Sequence, residues 1–155
     1  MSGNRLFYNV AFVLLILYTG LLLYWMFLGF GRTLRPGPPY SSGPPYSYNV
    51  VPLDTIGRYW RAMHSSPFRV WGVNLLGNIG VFIPFGILLP IIWVSMRRVG
   101  RLLLVVVAAL VILEVTQMLL GAGTMDVDDI ILNVLGVLCG RVAYVFLRKK
   151  LRIES

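Results

Sequence analysis

Charge is scarce in this chain. Of its 155 residues only 13% are Asp, Glu, Lys or Arg, while 57% are apolar. A water-soluble domain of this size needs a polar shell that this composition does not supply, so lipid is the expected solvent. Acidic residues are the scarcest, six against fourteen Lys and Arg, for a formal net charge of +8. In a membrane protein that excess marks cytoplasmic flanks and anionic headgroups, and no nucleic-acid partner is expected. Cysteine occurs once, as Cys139 in an apolar run, which excludes an intrachain disulfide and reads as a small packed side chain. Histidine also occurs once, as His64, with no partner motif beside it. A Ser-His-Asp or Cys-His catalytic set therefore has no visible basis.

Long apolar runs are what the chain has instead. A hydrocarbon core of ~30 Å takes about 20 helical residues to cross. Four segments meet or approach that length, at about 6–29, 70–94, 102–120 and 130–147. The fold class expected is all-α: a polytopic four-helix transmembrane bundle forming one domain. The first run is too long for a secretory signal and lacks a small-residue cleavage pattern, so it is read as a retained helix. Pro84 and Pro90 fall in the second span, where a bundle tolerates them as kinks because neighbours satisfy the freed carbonyls.

The connection between the first two spans is long and has two characters. Its first part, 36–48, repeats a Gly-Pro-Pro-Tyr unit at Gly37 and Gly43, which favours an extended polyproline linker. Its second part predicts a short amphipathic or re-entrant helix at about 54–64, capped by Asp54. Ile56, Tyr59, Trp60 and Met63 share one face, with Arg58 and Arg61 turned away, as in a helix lying on a membrane surface.

Lys and Arg set the orientation. Both termini and the connection between spans two and three carry Arg5, Arg97, Arg98, Arg101, Arg148, Lys149, Lys150 and Arg152. The other side carries Arg32, Arg35, Arg58, Arg61 and Arg69 in the long connection and none in the acidic connection between spans three and four. Short connections count most, so both termini are expected in the cytoplasm, with the protein in the bacterial cytoplasmic membrane. Arg141 is read as snorkelling to the cytoplasmic headgroups.

With that orientation the intramembrane polar residues gather at one depth. Asn74 and Asn78 open the second span, Glu114 and Gln117 close the third, and Asn133 lies one turn into the fourth. At 1.5 Å per residue all fall within ~12 Å of the outer boundary. Asp126, Asp129, Asn133, Gly136 and Gly140 form one stripe if the fourth helix starts early enough. Gly136 and Gly140 make a small-xxx-small contact for another helix and a candidate homo-oligomer face. Each polar residue also has a plain reading. The amides and Gln117 tie helices together, and Asp128 or Asp129 caps the fourth span, where the helix dipole favours negative charge. Glu114 is the hardest to read as structural, because a carboxylate in lipid is usually functional or paired.

Three blocks carry a resemblance. They are Asn49-Val-Val-Pro52-Leu-Asp54-Thr-Ile56, Asn74-Leu-Leu-Gly77-Asn78 continuing to Pro84-Phe-Gly86, and Glu114-Val-Thr-Gln117 followed by Asp126-Val-Asp128-Asp129 through Asn133 to Gly140. Together, and in this order, they resemble the VanZ-like family of bacterial membrane proteins. The family is named for a protein that lowers susceptibility to teicoplanin, a glycopeptide with a fatty acyl tail. The resemblance implies a fold more firmly than a role. Family members often carry an Arg shortly before the aspartates, and here Gly123 fills that place. Arg58, Arg61 or Arg69 are the substitutes within reach.

The first functional expectation is a non-catalytic binding or envelope-modifying protein. The loop helix, with Asp54, Arg58 and Arg61, would roof an outer-leaflet pocket of Asn74, Asn78, Glu114, Gln117, Asp126, Asp128, Asp129 and Asn133. The ligand would be lipid-like: a membrane lipid, a lipid-linked wall precursor or a lipoglycopeptide. No cofactor is expected. The alternative is an enzyme on a lipid phosphate or pyrophosphate, with Asp126, Asp128 and Asp129 holding Mg²⁺ or Ca²⁺. A third is a small transporter or channel subunit, although four helices without an inverted duplication are few for alternating access.

The orientation is directly testable. In a Cys139→Ala background, Thr124→Cys should react with an impermeant maleimide on intact cells and Val99→Cys should not. The opposite labelling pattern would invert the topology.

Overall fold

The computed structural model describes residues 2–29 and 48–151. The polyproline linker up to residue 47, with Arg32 and Arg35, lies outside them. In chain order the elements are α1 (Ser2–Phe27), β1 (Tyr48–Asn49), α2 (Asp54–Ala62), α3 (Phe68–Ile92), a 3-10 turn (Val94–Arg97), α4 (Val99–Leu119), β2 (Met125–Asp126) and α5 (Val127–Leu151). Four helices are long and apolar enough to cross a membrane, over Arg5–Phe27, Trp71–Ile92, Val99–Leu119 and Val127–Lys149. The chain is a helical membrane bundle. Helix α5 starts three residues before the expected 130, so Asp128 and Asp129 belong to its first turn. Helix α3 continues through Pro84 and Pro90.

The main packing surface joins α3 and α5. It rests on three glycines. A Cβ on Gly136 would strike the Ile79 carbonyl, one on Gly140 the Ile83 carbonyl, and one on Gly86 the Val137 carbonyl and the Arg141 amide. Residue numbers rise together across this contact, so the two helices run parallel. Without a hydrophobic drive between helices in lipid, backbone contact through small residues supplies the attraction. The Gly136/Gly140 face offered as a self-association surface is thus occupied by α3 of the same chain.

Helix α4 shows one inward stripe: Leu102, Val106, Leu110, Glu114 and Gln117 are its buried residues. The first three join Phe82 and Val137 in the central core. Glu114 and Gln117 therefore continue an apolar stripe instead of facing away from it. Helix α1 is held by polar staples at two levels. The Tyr18 hydroxyl donates to the Val81 carbonyl at 2.8 Å, and the Gln117 amide donates to the Met26 carbonyl at 3.0 Å.

One expectation is corrected here. Cys139 is exposed, not packed. Arg141 extends toward the arginine-rich turn and is held there. Its guanidinium donates to the Arg97 carbonyl at 2.9 Å and lies over the Tyr144 ring at 4.9 Å.

Gly140→Ala should destabilise the bundle by about 2 kcal/mol or more, because the obstructing atom is backbone and has no rotamer to yield. Gly77→Ala, where nothing lies within 4 Å of the added carbon, should be neutral or stabilising by up to ~1 kcal/mol through helix propensity. Melting temperatures of the purified variants check both.

Candidate functional site

The end of the bundle opposite the arginine-rich turn at Arg97–Arg101 is built around the connection between α4 and α5. Strand β1 pairs with β2 in parallel, Tyr48 opposite Met125 and Asn49 opposite Asp126. This short ladder pins the far end of the long first connection onto the aspartate segment, and α2 follows within five residues.

Each aspartate has its own task. The Asp126 carboxylate accepts from the Thr55 hydroxyl at 2.6 Å, the Asn49 amide at 3.2 Å and the Asp128 backbone N–H at 2.9 Å. The last bond makes Asp126 the side-chain cap of α5, the role expected of Asp128 or Asp129. Asp128 is fully buried and caps a different helix. Its two carboxylate oxygens accept from the Leu53 N–H at 2.6 Å and the Ile56 N–H at 3.0 Å. Asp129 accepts from the Asn78 amide at 2.5 Å, tying α5 to α3.

Helix α2 consequently needs no cap of its own. Leu53, at its N-terminus, sits in the left-handed region at φ 67° and makes no side-chain cap bond. That conformation is costly for a branched residue. The charge-assisted bond to Asp128 offsets the cost by fixing the Leu53 N–H in place. Asp54, expected as the cap, lies in the first turn and forms a half-exposed ion pair with Arg58 at 3.3 Å.

The face of α2 that meets the bundle is a narrow one. Thr55 is its buried residue, Ile56 and Tyr59 are partly buried, and Trp60 is 65% exposed. The helix is docked on the bundle by a polar contact, with Trp60 left to the surroundings. The Arg58 guanidinium donates to the Thr55 hydroxyl at 2.7 Å. Arg58 and Arg61 are both exposed. Burial raises the Tyr59 phenol above its usual range, and the charges of Asp129 and Asp126 push it further while Arg58 pulls it back.

Beneath this cap lie the remaining polar residues. Glu114 is buried, and one of its carboxylate oxygens accepts from the Asp126 N–H at 3.4 Å. Asn133 is buried with its carbonyl oxygen unpartnered among the described residues. Gln117 serves as helix glue between α4 and α1. Asn74 is exposed and lies outside the buried cluster. Asn49 and Thr55 are central, although neither is charged nor inside a span. The signal that could have found them is their place in the first resemblance block, beside Asp54.

The Asp128 bonds yield a sharp expectation. Asp128→Ala leaves two part-buried N–H groups without their acceptor, so the Leu53 and Ile56 amides should exchange with solvent about tenfold faster, as a loss of ~1 kcal/mol or more implies. Asp54→Asn breaks only a surface pair and should move stability by less than about 0.5 kcal/mol. Hydrogen exchange read by mass spectrometry over 50–62 checks both.

The sequence model of the VanZ/LLP1 family matches residues 13–148. Among curated proteins, Protein VanZ of Enterococcus faecium is 28% identical over 99 residues, covering 63% of this chain and 60% of the relative. The chain thus aligns with rather less than two thirds of that relative's length. No solved structure matches. The family match covers most of the chain, including both halves of the aspartate cap and the glycine contact, and the chain belongs to the VanZ-like family.

Proposed function

We propose that the protein is a non-catalytic, multi-pass protein of the bacterial cytoplasmic membrane, its termini in the cytoplasm. It acts at the outer leaflet on an amphiphile with an acyl chain: a lipid-linked wall precursor or a teicoplanin-type lipoglycopeptide. The observation that carries this reading is an apolar groove of about 230 Å³ between α1, α3 and α4, lined by Leu15, Leu22, Phe82, Val106, Ala109 and Leu113 among others. It ends within a turn of Glu114 and the Gln117–Met26 staple. An acyl chain in the groove would place its polar head at the depth of the aspartate cap.

The state of the polar residues supports binding over catalysis. Thr55 has its hydroxyl bonded to an aspartate. It donates to Asp126 while accepting from Asn49 and Arg58, so both its lone pairs are occupied and none is free to attack a substrate. Asp126, Asp128 and Asp129 likewise direct their carboxylates at protein donors. The alternative, a Mg²⁺- or Ca²⁺-dependent enzyme on a lipid (pyro)phosphate, requires these oxygens to exchange protein donors for a metal.

Expression in a sensitive Gram-positive host should reduce susceptibility to teicoplanin more than to vancomycin, because only teicoplanin is anchored by an acyl tail. Ala109→Phe, which fills the groove and leaves the cap untouched, should remove most of the difference at equal protein level. Displacing even two buried CH₂ groups costs ~1.6 kcal/mol, roughly tenfold in affinity. Equal effects on both drugs would defeat the reading. A saturable rise in melting temperature with Mg²⁺, abolished by Asp126→Asn, would favour the enzyme.

A further inference from the structure

At the aspartate end the fold presents apolar side chains that are left uncovered. Val50, Val51 and Leu53 are 58%, 60% and 61% exposed, and Trp60 on α2 is exposed with them. Hydrogen bonds hold this turn. The Val51 N–H donates to the Asn49 side-chain oxygen at 3.1 Å, the Asp54 N–H to the Val51 carbonyl at 3.4 Å, and the Leu53 N–H to Asp128. Turns are ordinarily built from Gly, Pro, Asn, Asp and Ser. Leu53 departs furthest from that chemistry, because its φ of 67° is a conformation that Gly or Asn adopts at less cost.

Depth decides what meets these side chains. Asn49 lies opposite Asp126, the residue just before the span Val127–Lys149. The Leu53 N–H bonds the carboxylate of Asp128, inside the first turn of that span. The backbone of the turn is thus fastened level with the start of a transmembrane helix. An uncovered apolar side chain at that level continues the lipid-facing surface of the bundle. Exposed apolar patches mark contact with a membrane or a partner, and Trp is enriched at the headgroup boundary. Ile56 and Tyr59, which helical spacing assigns to the lipid-facing side of α2, are partly buried. The contact therefore falls to the preceding turn and Trp60.

We infer that Val50, Val51, Leu53 and Trp60 form a lipid anchor, inserted at the boundary between headgroups and acyl chains in the leaflet at the aspartate end. The strained Leu53 keeps an apolar side chain at a position where a turn facing water would carry Gly or Asn. The exposed Arg58 and Arg61 of α2 suit the headgroup side of such an anchor. The inference requires only that the four spans cross a bilayer. It holds whichever leaflet the aspartate end faces and whatever the groove binds.

The test uses the full chain reconstituted in phosphatidylcholine vesicles, with and without bromine on the acyl carbons nearest the headgroup. The emission lost in Trp60→Phe is that of Trp60, which separates it from the other tryptophans. Brominated lipid should quench this emission by about half or more, as insertion at that boundary implies. Iodide present on both sides of the vesicles should quench it little. Val51→Asn with Leu53→Asn keeps a residue suited to the left-handed position and removes two apolar side chains. It should melt in detergent near the wild-type temperature, yet lose about half of the bromine quenching and gain iodide quenching. Leu53→Gly, which relieves the backbone, should melt at or above the wild-type temperature and shift the quenching the same way, so the test stands even if the double variant folds poorly. Quenching of wild-type Trp60 by iodide and not by bromine would place the turn in water and overturn the anchor. Protection from both would mean that a protein, a second copy or another chain, covers it, and would overturn it equally. So would full bromine quenching in both variants, since Trp60 would then insert without the turn.

Discussion

Backbone-to-backbone contact between α3 and α5 is the constraint on which the rest of the molecule depends. Lipid gives no hydrophobic reason for two apolar helices to meet, so the attraction must come from close approach and its many small dispersion contacts. Gly86, Gly136 and Gly140 allow that approach by leaving carbonyls where side chains would stand. The two helices enter from the same face and run parallel, with α4 returning the chain between them. Their starting turns are thereby held side by side, and polar groups on the two first halves, Asn78 and Asp129, come within bonding range. Helices α1 and α4 attach to this pair more sparingly, and an apolar groove is left between them.

Among the described residues the two ends of the bundle then differ in their polar chemistry. Carboxylates collect at one end and are satisfied by amides, hydroxyls and backbone N–H groups from three segments of the chain. Guanidinium and ammonium groups collect at the other, where none of the described residues is a carboxylate. The acidic end answers its own charge within the fold, through hydrogen bonds and the Asp54–Arg58 pair. Such polarity along the membrane normal suits a protein that meets different molecules on its two faces.

Much of this was legible in the sequence. Apolar run length gave the four crossings, because spanning helices must satisfy every backbone bond internally and their lengths follow from bilayer thickness. The polar residues at one depth were visible for the same reason. What could not be read were partners distant along the chain. Asp54 looks like a cap because local spacing favours it, yet the true cap, Asp128, comes from more than seventy residues away. Asn49 and Thr55 carry no charge and sit outside any span, so only their place in the resemblance block marked them. Asn74 fits the helical spacing of Asn78 but falls on the exposed side of α3. The direction of Arg141 could be read, but not that the Arg97 carbonyl and the Tyr144 ring hold it.

The left-handed Leu53 has a consequence for the order of assembly. During synthesis the segment carrying Leu53 and α2 emerges well before Asp126 and Asp128 exist. Until the connection between α4 and α5 has been made, α2 lacks the carboxylate that satisfies its first N–H groups, and β1 lacks the strand it pairs with. The cap is therefore a latch between segments made far apart in time: the earlier one must wait, with its first turn unsatisfied, for α4 to bring the aspartates to the same end of the bundle.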